Sequence, residues 1–440
     1  MANDDKNKIG VPFATAVGLG AIIGAGIYVL SGTAVALAGP DALIAFIIVG
    51  IAAFIVALEL GELGSLMPYV KGASYSYTYK ALGSELGFIT GMLRYMALAT
   101  SISAIALGFG SYLSSFLGLS VGAYAIPMAI VLIIVLSIVN MYGVKKAAEA
   151  DFGLVVIKIG ILLVFVAFAL YAAFNVRGIP ALRFSTSGGA FAGIFAASVV
   201  VFFAYSGFQS ISTITDRIKG GSRGYVKSIL AAVIISIIVY VLVVVALLLL
   251  LPPSAYKISA DPLSYALRVG RAPSWLIFLI DIGALIATAS ATIAMILSSS
   301  RSLYQMSTDR LLPRFLRKYN KKSGAAENGI IISAIIGILM LFSGNIYVIA
   351  SIANFGLMFD YLLIGFDVIH FRRRGAKADF RMPLYPYLPI VGIVLLLAFF
   401  TGMPKEALVV GVILIMALLV VYYSLREARE KKVIRVKLFD

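Results

Sequence analysis

Cysteine is absent from all 440 residues, so no disulfide, thiolate metal site or redox-active thiol can form. Histidine occurs once, at His370, which excludes a histidine-rich metal centre. Charge is scarce as well: 13% of residues are Asp, Glu, Lys or Arg, where soluble domains carry about 25%. Apolar residues take their place, at 61% of the chain with a mean hydropathy of +1.03. No water-soluble surface can be built from that composition. Soluble enzymes and nucleic-acid-binding domains are thereby excluded.

What is present is long apolar runs. Ile229–Leu251 is 23 residues without a charge, and a helix needs roughly 20 to cross a bilayer. Uncharged windows predict about twelve such spans, at 10–37, 39–66, 85–117, 121–140, 151–174, 189–216, 226–251, 273–300, 326–343, 346–369, 386–402 and 406–425. The expected fold class is an all-α polytopic membrane protein. Ala36-Leu37-Ala38 matches a signal cleavage site, but the apolar stretch before it is too long, so it reads as a retained first span.

Twelve spans put both termini on one side. With the amino terminus inside, 28 of the 36 lysines and arginines fall in cytoplasmic segments and 6 in outer loops, with Arg94 and Lys158 inside spans. That asymmetry orients both termini to the cytoplasm of a multi-pass cell-membrane protein. It also accounts for the net charge of +16 without a nucleic-acid partner. The basic tail, 426–440, is either solvated or in contact with anionic headgroups of the bilayer.

Two loops are conspicuously long: Met67–Ser84 after span two, and Pro252–Ala272 after span seven. Each has room for a short surface helix, and both hold the same ordinal place in two sets of five spans. Five is odd, so the second set enters from the opposite face. Spans 1–5 (residues 10–175) and 6–10 (189–370) are then an inverted-topology pair, followed by two additional helices at 386–425. A second sign agrees. Span one reads Gly18-Leu19-Gly20-Ala-Ile22-Ile23-Gly24-Ala25-Gly26-Ile27-Tyr28, and span six reads Phe202-Phe203-Ala204-Tyr205-Ser206-Gly207-Phe208-Gln209. Each has glycine near its middle, where unwinding is cheapest.

An unwound segment frees amides at a helix amino terminus, where the dipole favours a carboxylate, and leaves the preceding carbonyls for an ammonium group. One broken helix can receive both ends of a zwitterion. Close helix packing of the small-xxx-small kind, which Gly20 and Gly24 also fit, stands beside that reading. A dinucleotide loop does not fit, because no strand precedes these glycines.

The series of motifs resembles the amino acid–polyamine–organocation transporters. Gly20–Tyr28 looks like that family's first-span signature, and Glu59-Leu-Gly-Glu62-Leu-Gly-Ser-Leu-Met-Pro68 with Gly72-Ala-Ser-Tyr75 like its pattern at the end of span two. Phe202–Phe208 is similar to its sixth-span motif, and Ser300–Pro313 to its signature after span eight. The resemblance implies a five-plus-five inverted repeat with broken helices 1 and 6, substrate at the breaks, and alternating access by rocking of a bundle. Carried onto this chain, the amides of Gly24, Ala25 and Gly26 take a substrate carboxylate. The carbonyls of Ile22, Phe203 and Ser206 take its amine, and Ile23 and Gly207 complete the lining. One of Phe202, Phe203 or Tyr205 covers the ligand. Two departures matter: Ala25 stands where many relatives have Ser or Thr, and Gln209 where many have an acidic residue. A neutral Gln209 weakens the case for a cationic substrate.

Charges inside spans are costly and hence functional suspects. Lys158 lies seven residues inward from Asp151, about 10 Å at about 1.5 Å per residue. It either snorkels to the cytoplasmic face, or faces the bundle, where desolvation lets it lose its proton during transport. In sodium-coupled transporters of similar architecture a cation sits between spans one and eight, with span five close by. An ammonium there would substitute for the ion, with carbonyls of Gly18, Leu19 and Gly20 and the hydroxyl of Ser290 as partners. Glu59 and Glu62 are either a proton relay or helix-packing contacts; Arg94 snorkels or pairs with a carboxylate, and Asp281 is a candidate for lining an access path. No carboxylate pair and no Ser–His cluster stands at catalytic spacing, so enzyme chemistry has no candidate machinery.

The expectation is a secondary active transporter of neutral L-amino acids of broad range, coupled to protons, independent of sodium and needing no metal or cofactor. An amino acid exchanger is the alternative. A channel would need a repeated filter or a charged ring, and a sensor a signalling domain; neither is visible.

Overall fold

The computed structural model describes residues 9–67, 74–142, 147–178, 184, 189–211, 218–258, 260–320 and 323–430. Met1–Lys8, Pro68 and Gly72 of the second motif, residues 212–216 of the sixth span, the side chain of Asp151 and the tail beyond 430 lie outside the described set. The chain forms α1 (Val11–Ile22), α2 (Ala25–Ala38), α3 (Ala42–Leu66), α4 (Tyr75–Leu82), α5 (Ser84–Phe116), α6 (Val121–Tyr142), α7 (Ala147–Ala172) and α8 (Gly189–Tyr205). It continues with α9 (Gly221–Leu250), α10 (Pro262–Val269), α11 (Ser274–Thr308), α12 (Glu327–Met340), α13 (Ile346–Arg373), α14 (Tyr387–Phe400) and α15 (Lys405–Glu430). Among the described residues, strand-like pairing is limited to two isolated bridges, Ile9 with Ile218 and Asn320 with Ala325. Helices dominate because lipid offers backbone groups no partner, so each segment must satisfy its own.

Nine stretches among the described residues are long and apolar enough to cross a membrane, one of them joining α2 and α3; α1, α12 and α14 are apolar but shorter. Each uncharged window of the sequence coincides with a helix or a pair of helices, but the lengths differ. The first window is interrupted at Ile23–Gly24. α12 and α14 have 14 residues each, about 21 Å long against a hydrocarbon core of roughly 30 Å. α11 instead runs 35 residues and carries Ser300–Thr308 as helix well past the uncharged window. Charge marks where lipid ends, not where backbone hydrogen bonding ends.

The closest packing falls into two groups. α5 packs on α11, α13 and α6, while α3 packs on α9 and α8, α2 on α8, and α1 on α9. α6, α7 and α15 turn large apolar side chains outward, among them Val131, Ile134, Val156, Leu163, Val412 and Ile413, a surface suited to lipid. The two long loops each carry the expected short helix, α4 and α10, but neither is a surface helix. α4 buries Tyr75, Ser76, Tyr77 and Thr78. Ser74, just before it, donates to Asp360 Oδ1 at 2.5 Å, Tyr75 to Asp309 Oδ2 at 2.5 Å, and Thr78 to Asp367 Oδ2 at 2.8 Å. On α10, Ser264 and Arg268 both reach Asp281 of α11, Arg268 at 2.9 Å. Their hydroxyls and charges are one turn apart and so share a face, which pulls both helices inward.

The carboxyl-terminal ends of α3 and α13 are joined by a bidentate ion pair, which also holds the loop after α13. Arg372 donates through Nε and Nη2 to the two oxygens of Glu62, each at 2.6 Å. The amide of Met382 adds a third bond to Glu62 at 2.8 Å, the Met382 carbonyl accepts from Arg372 at 2.8 Å, and the Tyr385 ring lies 4.5 Å from the guanidinium. Both side chains are largely buried, so removing one partner strands the other's charge. Arg372→Met is expected to lower stability by about 3–5 kcal/mol, and adding Glu62→Gln to restore most of it. Thermal unfolding of the purified single and double variants measures both.

Candidate functional site

The first break is two residues long. Ile23 and Gly24 leave helical geometry, at φ −79°, ψ 66° and φ −111°, ψ −137°. The amide of Ile23 closes α1 onto the Leu19 carbonyl at 2.6 Å, and the Gly24 amide turns back onto the Ile22 carbonyl at 2.8 Å. No side chain caps α2, so its first-turn amides, starting with Ala25 and Gly26, face the break without a side-chain acceptor.

The second break follows α8. Ser206 donates from its amide and its hydroxyl to the Phe203 carbonyl, at 3.2 and 2.7 Å. Gly207 then adopts φ +122°, open to glycine and strained for other residues. Its amide donates to Gln209 Oε1 at 2.9 Å, and the Tyr361 hydroxyl donates to the same oxygen at 2.7 Å. Gln209 is therefore a structural acceptor inside the break.

The two breaks touch. A Cβ on Gly26 would lie 2.8 Å from the Cβ of Ala204 and still nearer its Cα, and a Cβ on Gly207 would lie 2.5 Å from the Ala21 carbonyl oxygen. The hydroxyl of Tyr240 on α9 sits between them, 2.7 Å from the Ile22 carbonyl and 2.9 Å from the Ala204 carbonyl. Nothing in the motifs marks Tyr240. Its one signal is a phenol within the uncharged run Ile229–Leu251, where a buried hydroxyl must find an acceptor.

The three aromatic candidates are not equivalent. Phe202 packs on Tyr361 and Phe399, at ring separations of 5.7 and 6.3 Å. Tyr205 packs on Tyr240 at 5.0 Å and donates to the Phe46 carbonyl at 3.1 Å. Phe203 is buried too, yet it stacks on no ring among the described residues. The carbonyls also differ: those of Ile22 and Phe203 each already accept two hydrogen bonds.

Lys158 on α7 is 1% exposed, so its ammonium does not snorkel to the surface. Nζ donates to Ser290 Oγ on α11 at 2.7 Å, and the Lys158 carbonyl accepts from the Tyr28 hydroxyl of α2 at 2.9 Å. Ser290 adjoins Ala291, whose Cβ would lie 3.2 Å from a Cβ on Gly24. The lysine–serine pair thus lies next to the first break. Gly18 backs onto Ile211 and Ala232, Leu19 gives its carbonyl to Ile23, and Gly20 is buried in α1. Two other charges within spans are paired, Arg94 with Asp360 at 2.9 Å and Asp281 with Arg268, whereas Glu59 is buried with no ion-pair partner among the described residues.

The model of the family described as amino acid permease matches residues 14–436. The chain is 28% identical to the methylthioribose transporter of Bacillus subtilis, over 89% of this chain and 87% of that one. It is 27% identical to the branched-chain amino acid permease BcaP of the same organism, over 97% and 94%. It is 28% identical to the vacuolar cationic amino acid transporter 2 of Arabidopsis thaliana, over 82% of this chain and 59% of that one. With its motifs in order and nearly its whole length matched, this chain belongs to the amino acid permease family.

Proposed function

We propose that this protein is a secondary transporter of neutral L-amino acids, working by alternating access and coupled to protons without sodium. The observation that carries the reading is the contact of the two breaks, Gly26 on Ala204 and Gly207 on Ala21. Backbone donors of one and acceptors of the other would then meet a single zwitterion. The amides of Ala25 and Gly26, with Gly24 beside them, would take the carboxylate. The Ser206 carbonyl, which takes none of the bonds that occupy Ile22 and Phe203, would meet the amine with least competition. Phe203, free of ring partners among the described residues, is the aromatic best suited to cover the ligand. Relatives carry names covering branched-chain and cationic amino acids. A neutral Gln209, held by Gly207 and Tyr361, favours the neutral class.

In this reading α1 and α2 are one broken span, and with α3, α5, α6, α7, α8, α9, α11, α12, α13, α14 and α15 they make twelve. Residues 10–175 and 189–370 are the inverted repeats, supported by a broken first helix and a short helix after the second span in each half. Both termini are cytoplasmic, as the lysine and arginine asymmetry requires. Lys158 would couple the proton. Protonated, it ties α7 to α11 beside the first break, as a bound cation would; neutral, it releases them. Only a difference in proton affinity between the two conformations can drive transport.

Three measurements in proteoliposomes test the parts separately. Unlabelled neutral L-amino acids should compete with labelled substrate, while decarboxylated and N-acylated analogues should not; equal competition by either analogue overturns the backbone site. Gly26→Val should abolish uptake while the protein still inserts, because its side chain meets Ala204; uptake at the parent rate moves the substrate elsewhere. Lys158→Ala should lose uphill accumulation and its pH dependence with folding kept, and the parent should need no sodium. Retained proton-driven accumulation in Lys158→Ala would assign the coupling proton to another group.

A further inference from the structure

The inner half of the seam between α3 and α13 holds more acid than base. Glu62 is neutralised by Arg372, and Asp360 by Arg94 with Ser74 as a further donor. Asp367, fully buried, receives Thr78 at Oδ2, but its Oδ1 accepts no hydrogen bond. Glu59 is 1% exposed, and its Oε1 accepts none either. Among the described residues no lysine, arginine or histidine pairs with Glu59 or Asp367.

The Glu59 carboxyl reaches into a slot that two glycines keep open. A Cβ on Gly365 of α13 would lie 3.3 Å from Oε1, and one on Gly392 of α14 would lie 3.4 Å from it. Its charged neighbours, Asp367 and Glu62, both carry the same sign as an ionised Glu59. Of the groups on the elements packed against this seam, Thr78 of α4 donates to Asp367 and Arg372 of α13 is engaged by Glu62, while Tyr77 of α4 and Tyr225 of α9 are buried and Lys80 of α4 is exposed. An ionised carboxylate buried there would lack both water and a counter-charge.

We propose that Glu59 is a second proton-binding group, separate from Lys158, which holds a proton across the α3–α13 seam because neither water nor a counter-charge reaches it there. α3 belongs to the packing group that contains the broken helices, and α13 to the group built on α5. Parting of the two groups would wet Glu59 and let the proton go. That consequence rests on the alternating-access reading above; the holding of the proton does not.

The test separates the two. Infrared spectroscopy of the purified protein at neutral pH should show a carboxyl band of a protonated acid in apolar surroundings. Glu59→Gln, which copies the neutral acid, should remove that band and unfold at the parent's temperature. A spectrum unchanged by Glu59→Gln, or a strongly destabilised Glu59→Gln, would mean that Glu59 is ionised and would overturn the site. In proteoliposomes, Glu59→Gln should flatten the alkaline limb of the pH profile of uptake; an unchanged profile with the band lost would overturn the proton's part in transport. If the parent itself shows no saturable uptake, the transporter reading fails while the infrared result still decides Glu59.

Discussion

A helix broken inside a bilayer leaves backbone groups that lipid cannot satisfy, and the rest of this structure depends on how they are satisfied here. Part of the answer is internal: Gly24 turns onto Ile22, and Ser206 onto Phe203. The remainder comes from side chains aimed at the breaks, Tyr240 at the Ile22 and Ala204 carbonyls and Gln209 at the Gly207 amide. Each of these is buried, and each has a partner on a different helix. The breaks can therefore stay open only while α9 and α13 remain packed against them. The geometry of the breaks and the global packing are one constraint.

The buried charges obey a related rule. Where an acid meets a guanidinium, as at Glu62 with Arg372 or Asp360 with Arg94, the pair joins two helices and is confined to one geometry. Where the contact is with a hydroxyl, as Lys158 Nζ donates to Ser290, a neutral oxygen takes the bond in place of a second full charge. The first kind ties α3 to α13 and α13 to α5. The second kind lies beside the first break, where Ala291 faces Gly24.

The helices were legible from composition, because uncharged length in a bilayer permits little else. The glycines of both breaks were legible as well, and so was Ser290 as a neighbour of Lys158, since small and polar residues are rare enough in apolar spans to stand out. Tyr240 was not. One phenol among valines and leucines gives no sign of which helix it faces, and its two acceptors lie 218 and 36 residues away. The inward packing of α4 and α10 was hidden for the same reason. A Tyr-, Ser- and Gly-rich loop looks like solvated surface until buried Asp360, Asp309 and Asp367 are brought to meet it.

By itself the sequence determined the solvent and the places where helices would break, because hydropathy and glycine are local properties of the chain. Only the tertiary structure decided which groups at those breaks are free. Whether the Gly24 amide, the Ile22 carbonyl or the Glu59 carboxyl has a partner depends on atoms from helices distant in sequence, and a hydrogen bond is made or lost within an ångström. The same distance dependence placed Lys158 against Ser290 instead of at the membrane surface.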